Sequence, residues 1–297
     1  MSYVCVLPVR DGEEHIAESI DSLLAQIVKP TRIYVIDDGS TDRTPEILKG
    51  YSDETVQVMW HESTTRDYIR IAYLYKLATD EIAKLPSKPD YLFCASDDAK
   101  FPPDYAQQLI DRMKADSRLV IASGDFGERV AGDKAPQGTG RLFNYEYYTS
   151  VGGFPLWLPG WETWILHKAL MDGKKIKNFQ DIRFEHTRPY SNGSIESAGN
   201  AMYCLGYTLP SLIATFLYNL RDGKFMGRRQ SFLLLAGYLR AMINAPVRAS
   251  REFREAISRD QNVQLVRFIG SLADGIAVML LRSLQPRRDK RGKTSLK

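Results

Sequence analysis

Arg32-Ile33-Tyr34-Val35-Ile36, followed at once by Asp37-Asp38-Gly39-Ser40-Thr41-Asp42, decides the fold of this chain. A short run rich in β-branched and aromatic residues reads as a buried strand, and the polar turn behind it places carboxylates just past the strand's end. Tyr3 to Leu7 is a second such run, ended by Pro8-Val9-Arg10-Asp11-Gly12, and Tyr91 to Ala95 is another, ended by Ser96-Asp97-Asp98. Between them, Glu13 to Leu24 spaces Ile16, Ile20, Leu23 and Leu24 at helical intervals until Pro30. Thr41 or Asp42 is positioned to cap a helix at Pro45-Glu46-Ile47-Leu48, and Val56–Trp60 reads as a further strand. Ile69 to Lys84 and Asp104 to Lys114 repeat the helical spacing. This alternation predicts an α/β fold with a mostly parallel central sheet flanked by helices.

In an open sheet of that kind ligands bind at the carboxyl ends of the strands. Acidic groups gathered there can hold a hard divalent cation and, through it, a diphosphate that carboxylates alone would repel.

The chain has 297 residues, 44% of them apolar, enough for a substantial core. Its three cysteines, Cys5, Cys94 and Cys204, are widely spaced and suggest neither a disulfide framework nor a zinc site. Met1-Ser2 leads straight into the first strand run, so no secretory leader is expected. No run reaches about 18 apolar residues, and a cytoplasmic protein, soluble or peripheral to the membrane face, is the expectation. The net charge of +4 is unevenly spread. From Arg221 onward there are 17 Lys and Arg against 6 Asp and Glu, a balance of +11, which leaves −7 for residues 1–220. An acidic front and a basic end call for separate readings.

Beyond Val120 the pattern loosens. Residues 124–140 contain five glycines and read as a flexible stretch over a site. Trp164 to Leu170 reads as a helix and Lys175 to Phe179 as a strand. Everything after Asn200 is helical in period: Leu205–Leu220, Ser231–Ala245, Ala249–Ser258 and Val263–Leu284. We expect an α/β unit at 1–197, with halves at about 1–100 and 101–197, then a helical region at 198–285. A basic tail at 286–297 is expected to be disordered.

These motifs resemble those of the inverting family-two glycosyltransferases with the GT-A fold. The resemblance rests on Pro8-Val9-Arg10-Asp11, Ser22-Leu23-Leu24-Ala25-Gln26, the Asp37 to Asp42 hexapeptide, and Ser96-Asp97-Asp98 with Phe101-Pro102-Pro103-Asp104, which stands where the family has its DxD-type element. It covers roughly residues 3–190 and leaves the C-terminal helices outside. Arg10 and Asp11 replace the family's usual Tyr and Asn, and Ser96 stands where many members have an acid.

The resemblance implies that Asp38 pairs with the nucleobase, that Pro8 and Val9 touch the base through backbone atoms, and that Asp97 approaches the ribose. It implies Asp98 as the principal ligand of Mn²⁺ or Mg²⁺, with His186 completing the coordination. Arg70 and Arg188 are candidates to neutralise the diphosphate. Gly152-Gly153-Phe154-Pro155 resembles the family's segment lining sugar and acceptor, and Trp161-Glu162-Thr163-Trp164 puts Glu162 at the position of the catalytic base. A carboxylate there can take the proton of an acceptor hydroxyl as its oxygen attacks the anomeric carbon from the face opposite the nucleotide. The implied partners are a nucleotide-diphosphate sugar and a sugar or lipid-linked acceptor.

Each motif has a plainer reading. Asp37 and Asp38 suit a turn cap, Glu162 suits the first turn of a helix, and Trp157, Trp161 and Trp164 suit either a core or a sugar-stacking wall. The basic helices suit a packed bundle or an anionic membrane surface. They carry no recognisable nucleic-acid motif. Two other functions stay in view: a sugar nucleotidyltransferase, which should carry a glycine-rich basic loop after the first strand, and an inactive nucleotide-sugar-binding scaffold.

Overall fold

A computed structural model of the chain describes residues 1–51, 53–62, 69–127, 136–188, 193–222, 227–244 and 246–262. The first half alternates as the sequence predicts: β1 (Tyr3–Val9), α1 (Ile16–Leu24), β2 (Arg32–Asp37), α2 (Thr44–Lys49), β3 (Val56–Trp60), α3 (Ile69–Ile82) and β4 (Tyr91–Cys94). There follow β5 (Ala99–Lys100), α4 (Tyr105–Ala115), β6 (Leu119–Asp125), β7 (Arg141–Asn144), α5 (Tyr145–Ser150), α6 (Trp161–Met171), β8 (Lys175–Arg183) and β9 (Glu185–His186).

Seven strands form one sheet in the order β3-β2-β1-β4-β7-β6-β8. β1, β2, β3 and β4 are mutually parallel, as are β6 and β8, whereas β7 runs antiparallel between β4 and β6. That reversal was not visible in the sequence, because β7 is only four residues long and follows the glycine-rich stretch. β5 and β9 make a separate two-stranded antiparallel ribbon that sets Ala99 opposite His186.

β1, β2 and β4 read as nearly unbroken apolar runs because both sheet faces are covered there, and strand alternation deals their side chains to two cores. Cys5, Leu7, Ile33 and Val35 pack with Ile16, Ile20 and Leu23 of α1 and Tyr105 and Leu109 of α4. Val4, Val6 and Ile36 point the other way, onto Ala72 and Ala78 of α3 and Trp161 and Ile165 of α6. Each fully buried Leu or Ile contributes about 1.5–3 kcal/mol. The three cysteines are free and buried.

The C-terminal part is helical: α7 (Gly193–Leu205), α8 (Leu209–Asp222), α9 (Arg228–Asn244) and a further helical segment at 251–262. The boundary expected at 197 falls inside α7. This helix joins the two parts, since Cys204 and Leu205 share a cluster with Leu158, Phe253 and Ile257. α7 and α9 meet backbone to backbone through Gly199 and Gly237, where a Cβ on either would collide with a carbonyl oxygen of the other helix, that of Leu234 or Glu196. The helix expected at Val263–Leu284 and the tail at 286–297 lie outside the described residues.

Candidate functional site

The site is built on the loops that leave β1, β2 and β4 at their carboxyl ends. The first two are knitted together. Asp11 donates its amide to Ser40 Oγ at 2.9 Å, Gly12 to Thr44 Oγ1 at 2.8 Å and Glu13 to Asp42 Oδ2 at 3.0 Å, while Thr41 donates back to Asp11 Oδ1 at 2.8 Å. Asp11 takes the left-handed conformation (φ 51°) that an aspartate tolerates better than most residues. The two acids after β2 divide their work. Asp37 Oδ1 caps the turn by accepting from the Ser40 amide at 2.9 Å. Asp38, 1% exposed, turns to the arginines, with Arg70 Nε 2.6 Å and Arg10 Nη1 3.9 Å from its Oδ2. Arg70, expected at a diphosphate, thus sits beside the carboxylate expected at the base.

After β4, Ser19 of α1 holds the turn by donating to the carbonyls of Asp97 (2.7 Å) and Ala99 (2.8 Å). Asp97 pairs with Arg188 Nη2 at 2.6 Å. Burial nevertheless raises its pKa to about 6, against the opposing pull of Arg188 and with the Asp98 charge adding to the rise. Asp98 accepts from Ser96 Oγ at 2.6 Å and lies 3.4 Å, Oδ1 to Nε2, from His186. The β5–β9 ribbon brings that imidazole in, and the Phe126 ring stacks on it at 4.9 Å.

His186 Nδ1 is 2.8 Å from the carbonyl of Arg188, which can only accept, so Nδ1 carries the proton. In the neutral ring Nε2 then turns a lone pair toward a carboxylate oxygen, an arrangement that a cation relieves. One carboxylate and one imidazole fit Mn²⁺, and Mg²⁺ less well. Among the described residues no three His, Cys, Asp or Glu side chains gather as a ready-made metal cage. Two protein donors leave room for diphosphate oxygens and water.

Glu162 opens α6 behind Gly160, whose φ of 84° suits a residue without a Cβ. Its Oε1 would stand 2.9 Å from a Cβ at Gly138, so the carboxylate lies against the 136–140 segment. The neighbouring Thr139 Oγ1 is 2.9 Å from Ser96 Oγ, the hydroxyl that donates to Asp98. Glu162 and Asp98 therefore border one region, joined through Gly138, Thr139 and Ser96. Arg141, buried at 3%, fixes this segment by donating from Nε and Nη2 to the carbonyls of Gln137 (2.7 Å) and Pro136 (2.9 Å). Tyr105 adds a hydrogen bond from its hydroxyl to the Gly140 carbonyl at 2.7 Å.

Pro8 and Val9 end β1 beside this region, and the Val9 carbonyl accepts from the Asp38 amide at 2.9 Å. Trp161 does not line an open wall. It is 1% exposed, with Phe154 and Tyr75 against its ring at 4.5 and 6.2 Å, because the helix that presents Glu162 must bury its adjacent face. Gly153, at φ 71°, lines a separate depression of about 190 Å³ with Lys76, Tyr145 and Tyr148, to which none of Asp38, Asp97, Asp98 and Glu162 contributes. Arg141 and Thr139 escaped sequence reading. A lone arginine before an apolar pair carries no motif, and Thr139 acts only through a tertiary contact.

Residues 4–171 match the family model described as glycosyl transferase family 2, and the chain belongs to that family. Its architecture is the GT-A fold. Among solved structures it resembles the mannosyltransferase PcManGT from Pyrobaculum calidifontis, determined with GDP-Man and Mn²⁺, at a TM-score of 0.56 and 16% identity over 97% of this chain and 88% of that one. It also resembles S. aureus TarS 1-349 in complex with UDP-GlcNAc, at 0.52 and 14% identity over 82% and 73%. An uncharacterized glycosyltransferase of Rickettsia typhi is 43% identical over 49 residues, and one of Rickettsia prowazekii is 37% identical over 71. Those matches take in 16% and 24% of this chain and only 15% and 17% of the relatives' lengths.

Proposed function

We propose that this protein moves a sugar from a nucleoside diphosphate donor to a hydroxyl of a sugar or lipid-linked acceptor, with inversion at the anomeric carbon. The observation that carries this reading is the joining of Asp98 and Glu162 through Ser96, Thr139 and Gly138. The solved structures with GDP-Man and with UDP-GlcNAc support the donor class.

Residues 1–197 form the catalytic unit in this reading. Asp38, with Pro8 and Val9, receives the base, Asp97 the ribose, and Asp98 with His186 would hold Mn²⁺ or Mg²⁺. A cation held there would supply positive charge to the departing diphosphate. Arg188, beside Asp97 and Asp98, adds positive charge on the diphosphate side, and Arg70 steadies the Asp38 carboxylate that receives the base. This reading keeps Gly153 as an acceptor-side residue at the separate depression it lines with Lys76 and Tyr148, and Trp161 backs the helix that carries the base. Glu162 takes the acceptor proton as the acceptor oxygen bonds to the anomeric carbon. The bond from that carbon to the phosphate oxygen breaks, and its electron pair leaves with the nucleoside diphosphate. The protein works in the cytoplasm.

Among the described residues no helix is long and apolar enough to cross a membrane. The test is transfer or slow donor hydrolysis with Mn²⁺, using UDP- and GDP-sugars in turn, alongside calorimetric donor binding. Glu162→Gln is expected to lower turnover by about 10²–10⁴ with donor affinity kept. Unchanged turnover removes Glu162 as base, and binding without turnover in the unmodified protein favours the scaffold.

A further inference from the structure

α9 is apolar on two sides. Its inner side, with Leu234, Gly237, Tyr238 and Ala241 buried, packs on α7 and α8. Its outer side leaves Phe232, Leu239 and Ile243 exposed at 57, 37 and 79%. These follow one another at intervals of seven and four residues, one stripe of a helix. The Phe232 ring meets that of Phe216 at 4.9 Å, so the stripe continues onto α8, where Ile213 and Leu217 are 42 and 58% exposed. A helix with two apolar sides has two partners, and α7 and α8 account for one.

The charges at one end of the stripe identify the other. Arg228 and Arg229 open α9 exposed, with no acid in its first turn. Cations there oppose the helix dipole, which favours anions at its amino end. Arg221 and Lys224 precede them, so four cations fall within nine residues that contain Asp222 as the one acid. An anionic layer over this end would reverse the penalty. Apolar side chains beside a cation cluster match an acyl layer beneath anionic headgroups, the surface on which interfacial helices lie.

We propose that the outer face of α8 and α9 is a docking surface for an anionic lipid bilayer, with Phe232, Leu217 and Ile243 entering the acyl boundary and Arg228 and Arg229 meeting the headgroups. The experiment is co-sedimentation of the full chain with vesicles of phosphatidylcholine alone or with phosphatidylglycerol added. The unmodified protein is expected to pellet with the anionic vesicles, less at high salt, and to stay in solution with the neutral ones. Arg228→Gln with Arg229→Gln is expected to weaken partitioning about 30-fold, at roughly fivefold per cation. Phe232→Ser with Ile243→Ser is expected to abolish pelleting while circular dichroism and melting stay unchanged, both positions being exposed. Equal pelleting of the variants, equal pelleting on neutral vesicles, or no pelleting overturns the proposal. So does a dimer, seen by light scattering, that the Ser variant dissociates, which would give the face to a second copy of the chain.

Discussion

Replacing Asp97 by asparagine should make the protein more stable at neutral pH and leave it unchanged in acid. Burial raises this carboxyl from 3.8 to about 6, Arg188 pulling down and Asp98 pushing up. A carboxyl whose folded pKa exceeds its unfolded value binds its proton more tightly in the native chain, so folding takes up a proton between those two values. Stability therefore falls as pH rises from 3.8 to about 6. The cost is absent below that window and complete above it. The gap corresponds to about 3 kcal/mol, at 1.36 kcal/mol per pH unit. Asp97→Asn never ionises, so at pH 7.5 it should exceed the unmodified protein by up to about 3 kcal/mol, and at pH 4 the gap should shrink to about 0.5 kcal/mol. Arg188, 39% exposed, can turn to water when its partner is neutral, so no buried cation is stranded to offset the gain. Urea unfolding at pH 4, 5, 6 and 7.5, followed by tryptophan fluorescence, reads the difference. A constant gap across these pH values, or a less stable variant at pH 7.5, would refute the argument.

Three further outcomes are expected. Arg70→Met should destabilise by about 3 kcal/mol, because it removes the guanidinium 2.6 Å from the buried Asp38 carboxylate, and adding Asp38→Asn should restore part of the loss in urea titrations. Gly138→Ala puts a Cβ 2.9 Å from Glu162 Oε1, and displacement of that carboxylate should lower turnover about tenfold or more with donor affinity unaltered by calorimetry. Gly199→Ala or Gly237→Ala drives a methyl into a backbone carbonyl of the facing helix, so each should cost about 1–3 kcal/mol and lower the melting temperature without altering donor binding.

The first hundred residues were legible because their central strands are buried on both faces: Tyr3 to Leu7 and Arg32 to Ile36 could hardly be anything else, Val56 to Trp60 reads as a strand although it is a half-exposed edge, and α1 and α3 kept helical period. β7 and the β5–β9 ribbon escaped, being short and defined by pairing between distant segments, and β6 escaped because its apolar run breaks into Ser123-Gly124-Asp125. The acids of the site could be named because turns after strands expose them. What each one touches could not. Asp37 and Asp38 are identical in type and adjacent in sequence, yet one caps a turn and the other faces two arginines, a difference set by which side of the chain each leaves. Trp161 shows the same limit, since nothing in a run of aromatics beside Glu162 tells a packed ring from a displayed one.

The two glycines between α7 and α9 have a consequence beyond packing. Helices seated carbonyl to Cα cannot roll past each other without losing that fit, so the azimuth of α9 about its own axis is set. The protein has no cheap way to tuck Phe232 inward when nothing covers it, and the oily side stays on permanent display.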